Sequence, residues 1–202
     1  MKKQLGINMK RLLVLDIGPG ENPYKPLKNE TVISIDFNKE FNPTKIHDLK
    51  KFPWPFKDNT FDKIYASHII EHIPDTVRVM EEIYRIAKPN AIVIIRVPHF
   101  SSRSAWVNPT HYRAFSIGSF DYFSKNIKEH YGNCNFRVIK RELRYTRPDV
   151  SHNMITKLFT RLLNFFANLN QNFCERIWCY CVGGFSEIYF ELKVIKYIEE
   201  NL

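Results

Sequence analysis

A chain of 202 residues with 44% hydrophobic and 14% aromatic content is long enough for one domain with a full apolar core and too aromatic to stay disordered. Its formal net charge of +9, from 30 Lys and Arg against 21 Asp and Glu, leaves room for an anionic partner, whether nucleic acid, a phosphorylated substrate or an acidic membrane surface, beside plain surface solvation. No run reaches the ~20 apolar residues of a spanning helix, no signal peptide is apparent, and Cys134, Cys174, Cys179 and Cys181 make no CxxC pair, so a reducing cytoplasm is the expected setting. The last three cysteines with His152 match no metal-ribbon spacing, and the expectation is buried thiols and no metal.

A polar leader runs to Lys10. Arg11 to Pro23, RLLVLDIGPGENP, then places an apolar run ahead of Asp16 and a turn with Gly18 and Gly20, which reads as a buried parallel strand ending at a ligand site. Ten residues with two prolines separate Gly20 from Thr31, so the first crossover helix is shortened or missing. TVISID, from Thr31, is a second strand ending in Asp36, where such folds grip ribose hydroxyls. TKIHDL holds a short third strand, residues 50–59 a loop, and FDKIYAS, from Phe61, the fourth strand.

Pro74 is expected at the first position of a helix whose Val77, Met80, Ile83, Tyr84 and Ala87 share a face. Lys88-Pro89-Asn90 ends it, and AIVIIRV is a fifth, central strand. After Pro98 a polar-aromatic connection, HFSSRSAWVNPTHYRAF, is a candidate substrate loop. The spacing of Ile117, Phe120, Phe123 and Ile127 predicts a helix from Ser116. Asn135 to Tyr145 and Ser186 to Ile195 are the last strands, the second alternating with period two. Between them Leu158, Phe159, Leu162, Leu163 and Phe166 mark a helical segment, read as a lid, a dimer face, a membrane-surface helix or an ordinary core helix.

The expected fold is therefore α/β: one domain over 1–202, built on a doubly wound, seven-stranded Rossmann-like sheet with its last strands antiparallel, and with 151–184 as a helical insertion. Pro23 stands where GxGxxG needs its third glycine, which argues against a dinucleotide, and no GxxxxGK[ST] loop occurs.

LDIGPGENP, Asp36, IHDL, FPWPFKDNTFDKIYASHIIEHIPD and RIAKPNAIVIIRVPHF, in that order, resemble the class I S-adenosylmethionine-dependent methyltransferases of the prokaryotic type-11 kind. PHFSSRSAWVNPTHYRAFSIGSFDYF further resembles a subgroup associated with surface-polysaccharide or lipid-glycan gene clusters. The resemblance implies an enzyme that uses S-adenosyl-L-methionine to methylate a small-molecule or glycan-type acceptor. It implies that Asp16, Gly18 and Gly20 surround the methionine portion, that Asp36 binds the ribose, that Asp48 and Leu49 approach the adenine, and that Ser67 and His68 lie beside the sulfonium.

A hydroxyl acceptor wants a base near neutrality, which suits histidine. His68, His99 and His111 are the catalytic candidates, and His72, His99, Tyr112 and Arg113 the substrate-lining ones. The alternatives are an RNA or DNA methyltransferase, for which ASHI stands in place of [DNS]PP[YF] at the fourth-strand tip, and a cofactor-binding partner subunit without activity.

Overall fold

The computed structural model describes residues 10–147 and 153–196. The leader over 1–9 and His152 lie outside the described residues. Apolar runs bounded by turn residues give β1 (Leu12–Ile17), β2 (Glu30–Asp36), β3 (Lys45–Ile46), β4 (Phe61–Ser67), β5 (Ala87–Pro98), β6 (Phe136–Arg144) and β7 (Glu187–Val194). They form one sheet in the order β3-β2-β1-β4-β5-β7-β6, with β7 antiparallel to both β5 and β6 and the other pairs parallel. Central strands read as continuous apolar runs because both faces are covered. Val14, Leu15, Ile64, Ala66, Val93 and Ile95 are accordingly buried.

No helix forms between β1 and β2. Tyr24 fills the space instead, its backbone N–H donating to Asp16 Oδ2 at 2.7 Å and its hydroxyl to Glu30 Oε2 at 2.8 Å. Lys63 reaches the same Glu30 carboxylate from β4, so the short connection is bound to two strands.

Helix α1 (Thr76–Ile86) begins two residues later than Pro74 suggests. Asp75 is the cap, its carboxylate accepting from the Arg78 N–H at 3.0 Å, which satisfies one of the amides that a helix start leaves open. The buried face is Val79, Met80, Ile83 and Ile86, with Val77 and Tyr84 at its margin. Ala87 is already in β5, and Asn90 takes a left-handed φ of 63° in the irregular pairing at its start.

The helix expected from Ser116 does not form. Only a 3-10 turn, Asp121–Phe123, is present, because serine side chains hold the backbone in turns: Ser119 Oγ accepts from the Ser116 N–H at 2.8 Å and Ser116 Oγ from the Gly118 N–H at 3.2 Å. Such local bonds compete with helix. Ile117, Phe120 and Phe123 still reach the core, so their spacing reported burial and not helix.

A short α2 (Arg103–Val107) lies in the loop after β5, and before β7 the chain forms α3 (Met154–Leu169) and a further helical run through Gln171–Phe173, a π-helical Cys174–Trp178 turn and Cys179–Cys181. Asparagines attach α3 to the edge strand β6. Asn168 accepts from the Leu143 N–H and donates to the Leu143 carbonyl, both at 2.9 Å, and Asn164 accepts from the Tyr145 N–H at 2.8 Å. The strand's open backbone groups are thereby satisfied. The helix's apolar stripe points elsewhere: Met154, Ile155, Leu158, Phe159, Leu162, Phe165, Phe166 and Leu169 are all exposed, so the core-helix reading fails for this face.

Candidate functional site

Parallel strands deliver their C-terminal tips to one edge of the sheet. Asp16 and Ile17 of β1 pair with Ser34 and Ile35 of β2 on one side and with Tyr65 and Ala66 of β4 on the other. Gly18 continues the ladder, its N–H donating to the Ile35 carbonyl at 2.9 Å. Asp16, Gly18, Asp36, Ser67 and His68 thus stand along one edge in neighbouring strands. The His47 N–H donates to the Asp36 carbonyl at 2.9 Å, which brings Asp48 and Leu49 to the same edge beyond β3.

The two glycines differ. Both have positive φ, 62° at Gly18 and 49° at Gly20, but a Cβ on Gly18 would stand 2.5 Å from Ile69 Cγ1 whereas one on Gly20 would meet nothing within 4 Å. Packing explains Gly18. Gly20 borders open space, as a backbone that must admit a ligand requires.

Asp16 and Asp36 are both buried. Burial, opposed by the Tyr24 N–H and reinforced by the negative charge of Asp36, pushes the Asp16 carboxyl up to about 6. Asp36 Oδ1 accepts from the Asn38 N–H at 2.9 Å, a turn that leaves the second oxygen for a ligand. Asp48 closes a similar turn with the Lys50 N–H at 3.1 Å. The Leu49 side chain is in the core, and its carbonyl accepts from Trp54 Nε1 at 3.2 Å, so only its backbone faces the edge.

His68 has a left-handed φ of 53° at the β4 tip. Its Nε2 lies 2.9 Å from Glu187 Oε2 and its Nδ1 3.3 Å from Glu71 Oε1. Burial works against its charge, yet the hydrogen bond to Glu187 and the charge of Glu71 prevail, and its pKa is raised. Glu187 is fully buried and also takes Arg96 at 2.9 Å and Arg144 at 3.0 Å. The period-two pattern of β7 assigns Glu187 to the exposed face. The signal that reveals it is Arg96, a cation inside the apolar run AIVIIRV, on the strand that pairs with β7.

His99 is fully buried with both nitrogens engaged. Nδ1 accepts from the Ser101 N–H at 3.2 Å, so Nε2–H donates to Glu175 Oε1 at 3.0 Å. Glu175, in the π-helical turn, also takes the Ile117 N–H at 2.6 Å. His99 therefore ties the β5 tip to the inserted helices, beside Phe185 and an apolar cavity of about 150 Å³ lined by Leu163, Phe166, Cys174, Trp178 and Phe185.

The loop after β5 folds back over the edge. It closes on itself where Phe100 N–H donates to Phe115 O at 2.8 Å, the Tyr112 N–H donates to the Glu71 carbonyl at 2.8 Å, and Lys50 Nζ stands 5.4 Å from the Tyr112 ring centre. The loop thus runs from the β5 tip across the β4 tip toward Asp48. His111 meets His72 edge to face with ring centres 4.6 Å apart. Arg113, exposed, donates to the Pro74 carbonyl and so pins the loop. The structure brings His68, His72, His111 and Tyr112 together and sets His99 apart from them, behind the loop. Glu71, fully buried, carries no signal of its own as one of two acidic residues in HIIEHIPD.

Residues 15–95 match the methyltransferase domain family. Over that segment, which runs from β1 into β5, the chain is similar to S-adenosylmethionine-dependent methyltransferases. Its sequence is 32% identical over 104 residues to cycloartenol-C-24-methyltransferase 1 of Oryza sativa subsp. japonica, covering 43% of this chain and 30% of the relative. Its fold matches a SAM dependent methyltransferase from Archaeoglobus fulgidus at 19% identity and a TM-score of 0.55, over 90% of this chain and 86% of the other. It also matches phosphoethanolamine N-methyltransferase 2 of Haemonchus contortus in complex with S-adenosyl-L-methionine, at 16% identity and 0.54, over 93% and 49%. The chain spans less than half the length of the curated relatives it matches.

The methyltransferase edge fits the cofactor of that family. Two buried carboxylates, one with its pKa pushed up to about 6 chiefly by burial, suit a ligand that carries an ammonium, a sulfonium and a ribose, and Gly20 leaves space for it. Among the described residues no helix is long and apolar enough to cross a membrane.

Proposed function

We propose that the protein transfers a methyl group from S-adenosyl-L-methionine to a small-molecule or glycan-type acceptor, at a hydroxyl or an amine. The observation that supports this reading most is the alignment of Asp16, Asp36 and His68 on the tips of adjacent parallel strands, under a loop that presents His111 and Tyr112. When bound, the cofactor supplies an electrophilic methyl group on a cationic sulfur, which a nucleophile displaces in line. In this reading Asp36 accepts from the ribose hydroxyls, Asp16 faces the methionine ammonium, and Asp48 with the Leu49 backbone borders the adenine. Positioning alone accounts for roughly 7 to 11 kcal/mol in such displacements.

The histidines divide by environment. His68 has both ring nitrogens against carboxylates, which raise its pKa, and it fixes the β4 tip. His99 has no free nitrogen and braces the loop. His72 and His111, half-buried under the loop, are left to meet the acceptor. The relatives named for cycloartenol and phosphoethanolamine support a small acceptor. The domain boundary follows the same reading: one methyltransferase domain with the helical segment after β6 as an insertion.

Calorimetry with S-adenosylmethionine tests the donor side. Saturable binding is expected, weakened about tenfold or more in Asp36→Ala through loss of charged hydrogen bonds. Unchanged affinity would remove Asp36 from the site. Labelled cofactor incubated with native extract, then fractionated, tests the acceptor. Label in small molecules or glycans supports the proposal. Label in RNA would replace it with the nucleic-acid reading, which the charge of +9 favours.

A further inference from the structure

We propose that Glu71, His72 and His111 form a binding site for a divalent transition-metal cation at the acceptor face of the β4 tip. One ring nitrogen from each histidine and a carboxylate oxygen of Glu71 all lie within 4.8 Å of one another. Glu71 is fully buried, and neither of its carboxylate oxygens has a hydrogen-bond partner. A buried carboxylate without hydrogen bonds costs several kcal/mol unless a cation faces it. His68 Nδ1 faces Oε1 at 3.3 Å, and Oε2 is left without a partner.

The hydrogen bonds around the two imidazoles determine their tautomers. His111 Nδ1 is 3.2 Å from the Ala105 carbonyl, which only accepts, so Nδ1 carries the proton. His72 Nδ1 is 2.8 Å from Thr110 Oγ1. That hydroxyl donates to Asn108 Oδ1 at 2.8 Å, and Asn108 Oδ1 is fixed as the oxygen because it also accepts from the Thr110 N–H at 3.0 Å. Thr110 Oγ1 therefore accepts, and His72 Nδ1 carries its proton too. Both rings keep Nε2 as a lone-pair donor, each anchored on the far side by a carbonyl or hydroxyl, as metal-binding histidines are.

Two neutral imidazoles and one carboxylate are the donor set of open, three-ligand sites for zinc or ferrous and manganous ions. Ligand atoms about 3.3 Å apart surround a zinc ion at ~2.0 Å in a tetrahedral arrangement, so the three would draw in by about an ångström. His111 lies in the loop after β5 and His72 in a 3-10 turn, Ile70–His72, so neither ligand is fixed by a strand ladder.

The cation's task rests on the methyltransferase reading. An open coordination position takes the acceptor's hydroxyl oxygen and lowers its pKa. The hydroxyl proton passes to solvent, the oxygen lone pair forms the new O–CH3 bond, and the S–CH3 bond breaks with its electron pair left on sulfur as a neutral thioether. The substrate class is thereby narrowed to hydroxyl acceptors.

The test is calorimetry of the chelator-treated full chain with zinc, then manganese, and absorption spectroscopy with cobalt. One saturable site is expected, with a cobalt spectrum free of thiolate charge transfer, and affinity at least about tenfold weaker in His111→Ala and in Glu71→Gln. Circular dichroism checks that each variant folds, and His111→Ala, on a surface loop, carries the test if Glu71→Gln does not fold. No saturable binding, a thiolate spectrum, or equal affinity in folded His111→Ala would overturn the proposal. S-adenosylmethionine binding is titrated in parallel. Cofactor binding without metal binding overturns the metal site alone, whereas metal binding without cofactor binding overturns the methyltransferase reading and leaves the site standing.

Discussion

The two halves of the sheet edge are built on opposite terms. On the donor side, β2, β1 and β4 hold Asp36, Asp16 and His68 by the hydrogen-bond ladder itself, so each group's place follows from its strand register. On the acceptor side, the loop after β5 and the helices before β7 lie outside any ladder and, beside a few backbone bonds, are held by side chains: His99 to Glu175, Asn168 to Leu143, Arg113 to Pro74. A ladder is fixed by backbone that every sequence has, whereas the second side depends on a few replaceable residues. In the proposed reading, the donor side is therefore fixed by the fold and the acceptor side by a few side chains that can change.

Glu187 joins the two sides, and its loss should have the largest effect. Glu187→Gln leaves Arg96, Arg144 and His68 facing an uncharged amide inside the protein, and breaking such a buried network costs on the order of 3 to 5 kcal/mol. A urea titration reads it as a lowered midpoint. The pH dependence has a definite sign. Burial opposes the Glu187 charge, but hydrogen bonds from His68 and Arg96 prevail and lower its pKa, so its stabilisation is lost only as pH falls through that lowered value. His68 is raised, so its share is present in acid and lost as pH rises past its raised pKa. Wild type should be most stable between the two, and Glu187→Gln should flatten that maximum.

Next come the glycines, which separate packing from ligand. Gly18→Ala should cost about 1 to 3 kcal/mol from collision with Ile69 plus about 1 to 2 from its left-handed backbone. Gly20→Ala should cost only the second amount, because its Cβ meets nothing. If the cofactor occupies that space, Gly20→Ala weakens S-adenosylmethionine binding more than it lowers the unfolding midpoint. The reverse order would remove the ligand from this turn.

The same contrast explains what the sequence reveals. The parallel strands β1, β2 and β4 are legible from LDIGPG, TVISID and FDKIYAS, because an apolar run ending in a glycine or acidic tip has few ways to fold. The acceptor side is not. Ile117, Phe120 and Phe123 share a helical period yet pack from a serine-locked turn, since burial has the same period whether or not a helix exists. His99 and His111 look alike in sequence, and only the fold gives one a closed hydrogen-bond set and the other a free ring nitrogen. Glu187 and Glu71 are hidden for a related reason: an acid reads as surface until its partner from a distant strand is known.

Asp16 offers a test of intermediate size. In the free protein its carboxyl ionises near 6, mainly because burial disfavours the charge, so the fold loses some stability as pH rises from acid through that value. A ligand ammonium favours the ionised form. S-adenosylmethionine binding should therefore strengthen by up to about tenfold between pH 5 and pH 7 and release a proton, detectable as a dependence of the calorimetric heat on buffer ionisation enthalpy. Asp16→Asn should bind more weakly at pH 7 and show no such proton. A proton release that persists in Asp16→Asn would assign the titration to another group.

The smallest effect is expected on α3, and its smallness is what sharpens the contrast. Phe159 is 56% exposed and Ile155 80% exposed, while the helix is attached through Asn164 and Asn168 on its other side. Phe159→Ser should change the unfolding midpoint by less than about 0.5 kcal/mol, as for surface positions that make no special contact. Asn168→Ala, which leaves the Leu143 N–H and carbonyl unpaired beside the helix, should cost more, about 1 to 3 kcal/mol. The ordering follows from attachment by polar groups and not by the apolar stripe. A Phe159→Ser loss as large as that of Asn168→Ala, growing with protein concentration, would mean that the stripe is covered by a second copy in solution, and the acceptor side would then be held by burial as well as by polar side chains.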